Sequence, residues 1–203
     1  MLSLRPIANA AILTAALAAA PAMAAPEVGK PAPALTGTDT TGKTWELAAL
    51  EGTPVILEWT NHDCPYVVKH YESGNMQALQ KDATAAGYTW LSVISSAPGK
   101  QGHVSPAQAD ELTESRGAAP TAVLLDPEGT IGQAYGARTT PHMFVIDADG
   151  TLVYMGGIDD KPTTNIADVE GAENYVRLAI ADLAAGQPVG QAVTRPYGCS
   201  VKY

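Results

Sequence analysis

The chain has 203 residues, a formal charge of −9 and two cysteines. Acidic residues outnumber Lys and Arg by 21 to 12, and no basic run is present, which disfavours nucleic acid and anionic membranes as partners because both bind through clustered cations. The length suits one domain with a complete core better than two.

Residues 1–24 have the pattern of a cleavable export signal. Arg5 precedes an uncharged, mostly apolar stretch over 8–20, and residues 22–24 have the small-x-small form of a cleavage site. The stretch is short for a bilayer span. We expect a periplasmic or secreted protein that begins at Ala25 and has no membrane anchor after processing. Removal of the signal takes away Arg5 but no acidic residue, so the formal charge moves from −9 to −10. An oxidising compartment would allow the two cysteines to form a disulfide.

The first half of the remaining chain alternates between predicted strands and helices. A turn over 39–43 between β-prone residues predicts a hairpin over 35–47, and the apolar run 55–59 predicts a buried strand. We expect a helix over 66–86 and a buried strand over 88–95. This alternation is typical of an α/β domain.

The second half opens with a clear helix start. Ser105 as N-cap, Pro106 at the first helical position and Gln108 three residues after the cap predict a helix that ends near Ser115. We then expect a short strand over 122–125 and a helical turn over 131–135. Two hairpin strands should follow over 143–146 and 152–155, and a final helix over 169–184. The whole pattern predicts an α/β domain with a mixed sheet.

Cys64 lies where the strand 55–59 meets the following helix. Helix N-terminal N–H groups and the helix dipole stabilise a thiolate at such a position, so Cys64 is a candidate nucleophile; a buried structural thiol is the alternative. The position three residues later is Val67 rather than a second cysteine. A redox step therefore needs a sulfur from a substrate, from a small thiol or from Cys199.

Four motifs resemble the opening of the alkyl hydroperoxide reductase/thiol-specific antioxidant (redoxin) family. They lie at 29–33, 42–43, 47–52 and 54–57. Thr140 and Pro141, ahead of the strand 143–146, are similar to the cis-proline loop of thioredoxin-like proteins. The resemblance covers about 27–185 and implies a thioredoxin fold with an N-terminal β-hairpin extension and a mixed central sheet flanked by helices.

The resemblance also implies a domain organisation and a site. The signal 1–24 would precede a redoxin domain over 25–185 and a tail over 186–203. The candidate catalytic residues are Cys64 and, through the resemblance, Pro141 and Thr140, with the backbone at Thr140 pairing with an extended substrate; Cys199 in the tail, beyond the resemblance, is the candidate second sulfur. No cofactor or metal is expected at these residues.

The chain departs from peroxiredoxins at two positions. Peroxiredoxins have Thr or Ser three residues before the peroxidatic cysteine, where this chain has Asn61, and their cysteine corresponds to Val67. Cys64 therefore corresponds to the first, nucleophilic cysteine of thioredoxin. The chain is similar to the bacterial peroxiredoxin-like group that keeps only this cysteine.

The sequence thus predicts a thiol/disulfide oxidoreductase or a peroxidase-like antioxidant protein that acts through Cys64, resolved by Cys199 or by an external thiol. Its partners would be thiol or disulfide proteins, small thiols or peroxides. Two alternatives stay open. One is a non-enzymatic binding module with a structural Cys64–Cys199 disulfide. The other is a copper- or zinc-handling protein built on His62, Cys64 and His142.

Three further polar residues are expected at the surface. His70 and His103 have no visible partner in the sequence, and Arg138 is interpreted as a solvated side chain.

Overall fold

The computed structural model describes residues 25–203, so the predicted export signal lies outside the described residues. The strands are β1 Thr36–Asp39, β2 Thr44–Glu46, β3 Val55–Trp59, β4 Thr89–Ile94, β5 Ala122–Leu125, β6 Thr139–Thr140, β7 His142–Ile146, β8 Leu152–Gly156 and β9 Cys199–Ser200. The α-helices are α1 Pro65–Glu72, α2 Asn75–Ala85, α3 Pro106–Ser115, α4 Thr130–Ala134 and α5 Tyr175–Ala184. Two 3-10 helices span Leu47–Leu50 and Ile166–Val169.

A seven-stranded mixed sheet forms the centre of the fold, in the order β2-β1-β5-β4-β3-β7-β8. Strand β3 pairs in parallel with β4, and β4 with β5, whereas β7 and β8 are antiparallel. The N-terminal hairpin β1–β2 joins the sheet through an antiparallel pair with β5. The predicted fold class, a thioredoxin fold with an added N-terminal hairpin, is confirmed.

Alternation along β3 separates two apolar cores on the two faces of the sheet. Val55, Leu57 and Trp59 belong to one buried cluster, whereas Ile56 packs in the other together with Cys64. All five β3 residues are buried, as expected for a central strand covered on both faces. Because α1 follows β3 directly, the second core fixes the position of Cys64.

The helix predicted over 66–86 is wrong as a single element. Helix α1 ends at Glu72 and α2 begins at Asn75, because Gly74 between them has a φ of +75° in the left-handed region. A left-handed residue stops the helical hydrogen-bond ladder, and glycine adopts that conformation without steric cost. The break redirects the chain so that both helices pack on the same core.

The last helix also differs from its prediction. The sequence favours a start near Val169, but that residue ends a 3-10 helix, and α5 begins after Asn174, whose side chain accepts a hydrogen bond from the Arg177 N–H. Helix α3, in contrast, has the predicted capping box between Ser105 and Gln108. No helix within residues 25–203 is long and apolar enough to cross a membrane.

The chain after α5 returns across the molecule, passes along β8 and ends beside β6. The Met155 N–H donates to the Ala192 carbonyl at the edge strand β8, and the hydroxyl of Thr194 contacts Tyr154 and accepts from the Gly157 N–H. Farther on, β9 pairs with β6 in a separate two-stranded sheet. We call residues 192–203 the tail strap.

Candidate functional site

Cys64 is the N-cap residue of α1, with Pro65 at the first helical position. Asn61 shapes the approach: its side-chain oxygen accepts from the Asp63 N–H at 2.9 Å, and its carbonyl accepts from the Cys64 N–H at 3.0 Å. This Asx turn aims the Cys64 side chain inward, and the residue is fully buried. The position at the strand–helix junction agrees with the sequence prediction.

The cis-proline loop lies directly against Cys64. The Thr140-Pro141 peptide bond is cis, and the Cys64 thiol donates a hydrogen bond to the Thr140 carbonyl at 3.1 Å. The Thr140 hydroxyl is buried and has no hydrogen-bond partner among the described residues. It is therefore available to donate to a thiolate at Cys64.

The tail strap brings Cys199 to the same place. Strand β9 is antiparallel to β6, with Cys199 opposite Thr140 and Ser200 opposite Thr139. Both cysteines are free thiols, Cys64 buried and Cys199 partly exposed. The structure thus brings together all four candidate residues from the sequence analysis, although 135 positions separate the two cysteines.

A glycine allows this close approach. Gly198 has a φ of +136°, and a Cβ atom built on it would collide with the carbonyl oxygen of Thr140. Any larger residue at this position would push the strap away from β6. The backbone of the strap can therefore reach the cis-proline loop only because residue 198 has no side chain.

The two thiols have opposite electrostatic environments. Burial raises the pKa of Cys64. In the thiolate form, hydrogen bonds from the side chains of Cys199 and Thr140 and from the N–H groups of Cys199 and Val67 outweigh burial and hold that pKa below its usual value. Burial and the nearby Cys64 raise the pKa of Cys199 to about 11. Of the two thiols, Cys64 is therefore the one that loses its proton first.

Tyr197, which is partly buried, anchors the strap two residues before Cys199. It contacts three buried residues, Lys69, His70 and Asp159, and we call these four residues the Asp159 socket. The Tyr197 hydroxyl donates to Asp159 Oδ1 and lies 3.2 Å from His70 Nε2. Lys69 Nζ donates to the Lys161 carbonyl at 2.7 Å and lies 3.8 Å from Asp159 Oδ2.

The socket holds a neutral histidine. Burial and the adjacent Lys69 lower the pKa of His70 to about 3, so His70 carries one ring proton. Asn75 Nδ2 donates to Nδ1 at 3.0 Å, which leaves the proton on Nε2 to point at Tyr197. The expectation that His70 lies at the surface is wrong: its position on α1 turns it inward, where the strap supplies its partner. His103 is exposed, as expected.

The sequence did not identify Tyr197, Asp159 or Lys69 as site residues. One signal was present: in an extended chain, residues two apart share a face, so Tyr197 and Cys199 would point the same way. The buried Lys69 and Asp159 left no comparable pattern, because they meet only through the fold.

The proposed metal ligands do not converge. His142 is buried against Phe144 at 4.4 Å between ring centroids, and burial together with Arg138 lowers its pKa to about 3. His62 pairs with the exposed Asp63 at 3.3 Å. Within residues 25–203, no group of three or more His, Cys, Asp or Glu side chains is arranged to hold a metal ion.

Comparison with family models assigns the chain to a known group. The AhpC/TSA family model matches residues 28–155, more than half of the chain. The matched region contains both Cys64 and the Thr140-Pro141 loop but ends before Cys199. A comparison with curated proteins gave no match.

Solved structures share the fold over most of the chain. An uncharacterized conserved protein from Geobacillus kaustophilus is 25% identical, with a TM-score of 0.75 over 87% of this chain and 92% of that one. A hypothetical protein from Sinorhizobium meliloti 1021 is 22% identical, with a TM-score of 0.72 over 87% and 94%. The thioredoxin domain of a thiol-disulfide oxidoreductase from Bacteroides vulgatus is 19% identical, with a TM-score of 0.50 over 71% and 96%.

Proposed function

Since the chain belongs to the AhpC/TSA family and has a thioredoxin-like fold, we propose that it is an exported thiol–disulfide oxidoreductase whose redox centre is the pair Cys64 and Cys199. The observation that carries the proposal is the register of β9, which sets Cys199 opposite Thr140 while the Cys64 thiol donates to the Thr140 carbonyl. Because both sulfurs lie at the same cis-proline loop, a disulfide between them can form and break without a large movement of the backbone.

Each of the four site residues has a distinct role in this proposal. Cys64 is the thiolate that forms and releases the disulfide, and Cys199 is its partner sulfur. Thr140 supplies a carbonyl to the neutral thiol and a hydroxyl to the thiolate. Pro141 removes a backbone N–H from the loop and fixes its shape beside Cys64. The substrates would be protein or small-molecule thiols and disulfides.

A redox titration of the mature protein tests this role. Masses measured under non-reducing conditions after alkylation, across glutathione buffers of different potential, should give a Cys64–Cys199 bond that opens between about −120 and −270 mV. Survival of the bond below about −300 mV would favour a structural staple in a non-enzymatic binding module. Two free thiols at every potential would exclude a functional pair.

Peroxidase-like chemistry is the second candidate, and family membership supports it. The Cys64 thiolate would attack the O–O bond of a hydroperoxide, giving a sulfenic acid and an alcohol or water, and the Cys199 thiol would condense with it to a disulfide and water. Asn61 argues against high activity, because its side chain is held by the Asp63 N–H and the Gln101 carbonyl. Peroxide consumption with a thiol reductant measures this activity.

Export is a separate part of the proposal, and the sequence of residues 1–24 supports it. N-terminal sequencing of protein recovered from the periplasm or medium of a bacterial host should begin at Ala25. A product that keeps Arg5 and stays in the cytosol would contradict export. In a reducing cytosol, the pair would be held as two thiols.

A further inference from the structure

The docked tail strap makes the two sulfurs unequal toward an outside molecule. Cys64 is fully buried, whereas Cys199 is partly exposed. Tyr197 on one side and the pairing of Cys199 with Thr140 on the other hold the strap over Cys64. An external thiol therefore meets the tail sulfur first.

A cleft beside Cys199 gives that thiol room. It has a volume of about 530 Å³, and its walls include Gly198, which precedes Cys199, and Thr139, which precedes Thr140, but neither cysteine itself. Arg195 and Asp160 give its walls both signs of charge. A thiol that carries polar groups has room in this cleft, one residue away from Cys199.

We propose that external thiols exchange with the redox pair at Cys199, and that Cys64 is the buried sulfur that leaves. This inference rests on the proposed function. It reverses the roles that the sequence suggested, since the tail cysteine becomes the point of entry and the helix cysteine the resolving group.

The reaction balances as a two-electron exchange. A thiolate RS⁻ attacks Cys199 Sγ, the Cys64–Cys199 bond breaks, and Cys64 leaves as a thiolate. A second external thiolate attacks the RS sulfur, forms RSSR and expels Cys199 as a thiolate, which takes a proton. The external thiols lose two electrons, and the protein disulfide gains them.

The environments of the two sulfurs support this direction. A disulfide breaks faster toward the sulfur with the lower thiol pKa. In the mixed disulfide, Cys199 carries the external sulfur and has no thiol proton to donate. Hydrogen bonds from Thr140 and from the Val67 N–H, which lower the pKa of Cys64 against the effect of burial, remain to stabilise the leaving Cys64 thiolate. Both exposure and leaving-group quality therefore direct attack to Cys199.

Trapping the mixed disulfide is the direct test. The oxidised full-length mature protein is mixed with glutathione, quenched with acid within seconds, and alkylated with N-ethylmaleimide in denaturant. Peptide masses should place glutathione on Cys199 and the maleimide on Cys64, with at least a tenfold excess over the reverse product. Glutathione mainly on Cys64, or comparable amounts on both cysteines, would overturn the inference. A protein that never forms the disulfide would overturn the proposed function as well.

Single-cysteine variants give an independent measurement when the mixed disulfide closes too fast to trap. Cys64→Ser leaves only Cys199, and Cys199→Ser leaves only Cys64 under a docked strap. With the aromatic disulfide 5,5′-dithiobis(2-nitrobenzoate), Cys64→Ser should release the coloured thiolate at least tenfold faster, and 6 M guanidinium should remove the difference. Equal rates in the folded proteins, with native circular dichroism in both, would overturn the inference.

Discussion

Two buried polar clusters on the same side of the sheet differ in which part of the chain supplies their hydrogen-bond partners. Glu58, in the central strand β3, accepts hydrogen bonds from Tyr71, Gln80, Trp90 and Ser92 at 2.9 to 3.0 Å. All of these partners come from the body of the domain. The Asp159 socket lies nearby, but its Tyr197 comes from the tail strap, and Asp159 Oδ2 has no hydrogen-bond partner among the described residues.

The difference shows which part of the molecule can move. The Glu58 cluster cannot lose a donor without disrupting β3, α1, α2 or β4, so it opens only when the domain unfolds. The Asp159 socket loses its Tyr197 whenever the strap leaves, while the strands and helices of the domain stay paired. We therefore expect local opening at the proposed redox centre to begin in the tail, while the domain beneath it stays folded.

Replacing Glu58 should give the largest effect. Glu58→Leu leaves the buried groups of Tyr71, Trp90 and Ser92 without their acceptor, and we expect a loss of about 3–5 kcal/mol in the free energy of unfolding. Glu58→Gln, which keeps one oxygen and the shape, should cost less. Urea denaturation followed by circular dichroism measures both variants. Equal losses in both would show that the cluster depends on the charge or on both oxygens of the carboxylate, since Gln keeps the shape and one acceptor oxygen.

Acid should weaken the fold through its two buried neutral histidines. Burial and Lys69 lower the pKa of His70 to about 3, and burial and Arg138 do the same for His142. In the unfolded chain each binds a proton near pH 6.5, so the stability that they contribute is complete above that pH and is lost as pH falls toward 3. We expect a loss of about 1.4 kcal/mol per pH unit for each histidine below pH 6.5.

Urea titrations of the reduced protein at pH 7, 6 and 5 measure this slope. His142→Gln should remove about half of it, whereas His103→Gln, at an exposed position, should leave it unchanged. A stability that stays flat from pH 7 to 5 would contradict the neutral state of both buried rings.

Loosening the strap should affect the site more than the domain. Tyr197→Phe removes the hydroxyl that reaches Asp159 and His70, and one such buried bond to a charged group contributes about 1.5–3 kcal/mol. If the lost hydrogen bond destabilises the docked strap and not the whole domain, alkylation of Cys64 by iodoacetamide should accelerate roughly tenfold or more. Tyr175→Phe is the matched control, since its hydroxyl has no hydrogen bond within residues 25–203.

Gly198→Ala opens the strap by a different route, since its Cβ would collide with the Thr140 carbonyl. Gly171→Ala, with no atom within 4 Å of the added carbon, is its control. Peptide mapping of the alkylated protein follows Cys64 in all four variants. Faster labelling in both strap variants but neither control would locate the opening at the strap. Unchanged labelling of Cys64 in Tyr197→Phe would show that the Asp159 socket does not hold the tail strap in place.

The sequence predicted the fold better than the site because the two depend on different ranges of the chain. Strand β3, the capping box at Ser105 and the turn before β8 are local patterns, and the redoxin motifs placed them in order. The break at Gly74 was missed because apolar spacing continues across it. Cys64 was identified from its local junction with α1.

The position of the tail could be found only from the structure. Nothing in residues 186–203 states that Cys199 lies opposite Thr140, since strand pairing over 59 positions depends on the whole fold. The sequence places His70 at the surface for the same reason: Tyr197 is far away in sequence, and Asn75 reaches the ring only because the chain breaks at Gly74. Residues whose role depends on distant contacts have no periodic pattern to detect.

The smallest expected effect tests the unpartnered hydroxyl at the edge of the strap. Thr140→Val keeps the shape of the side chain and removes the hydroxyl that is free to donate to a Cys64 thiolate. Because a hydrogen bond to the charged form lowers an acid's pKa, the pKa of Cys64 should rise in this variant. Thr139→Val removes a hydroxyl that donates to the Pro141 carbonyl instead and should leave the pKa in place. Thiolate absorbance at 240 nm, followed against pH in the reduced proteins with Cys64→Ser as the blank, measures both. An unchanged midpoint in Thr140→Val would mean that Cys199 and the α1 N-terminus stabilise the thiolate without the Thr140 hydroxyl.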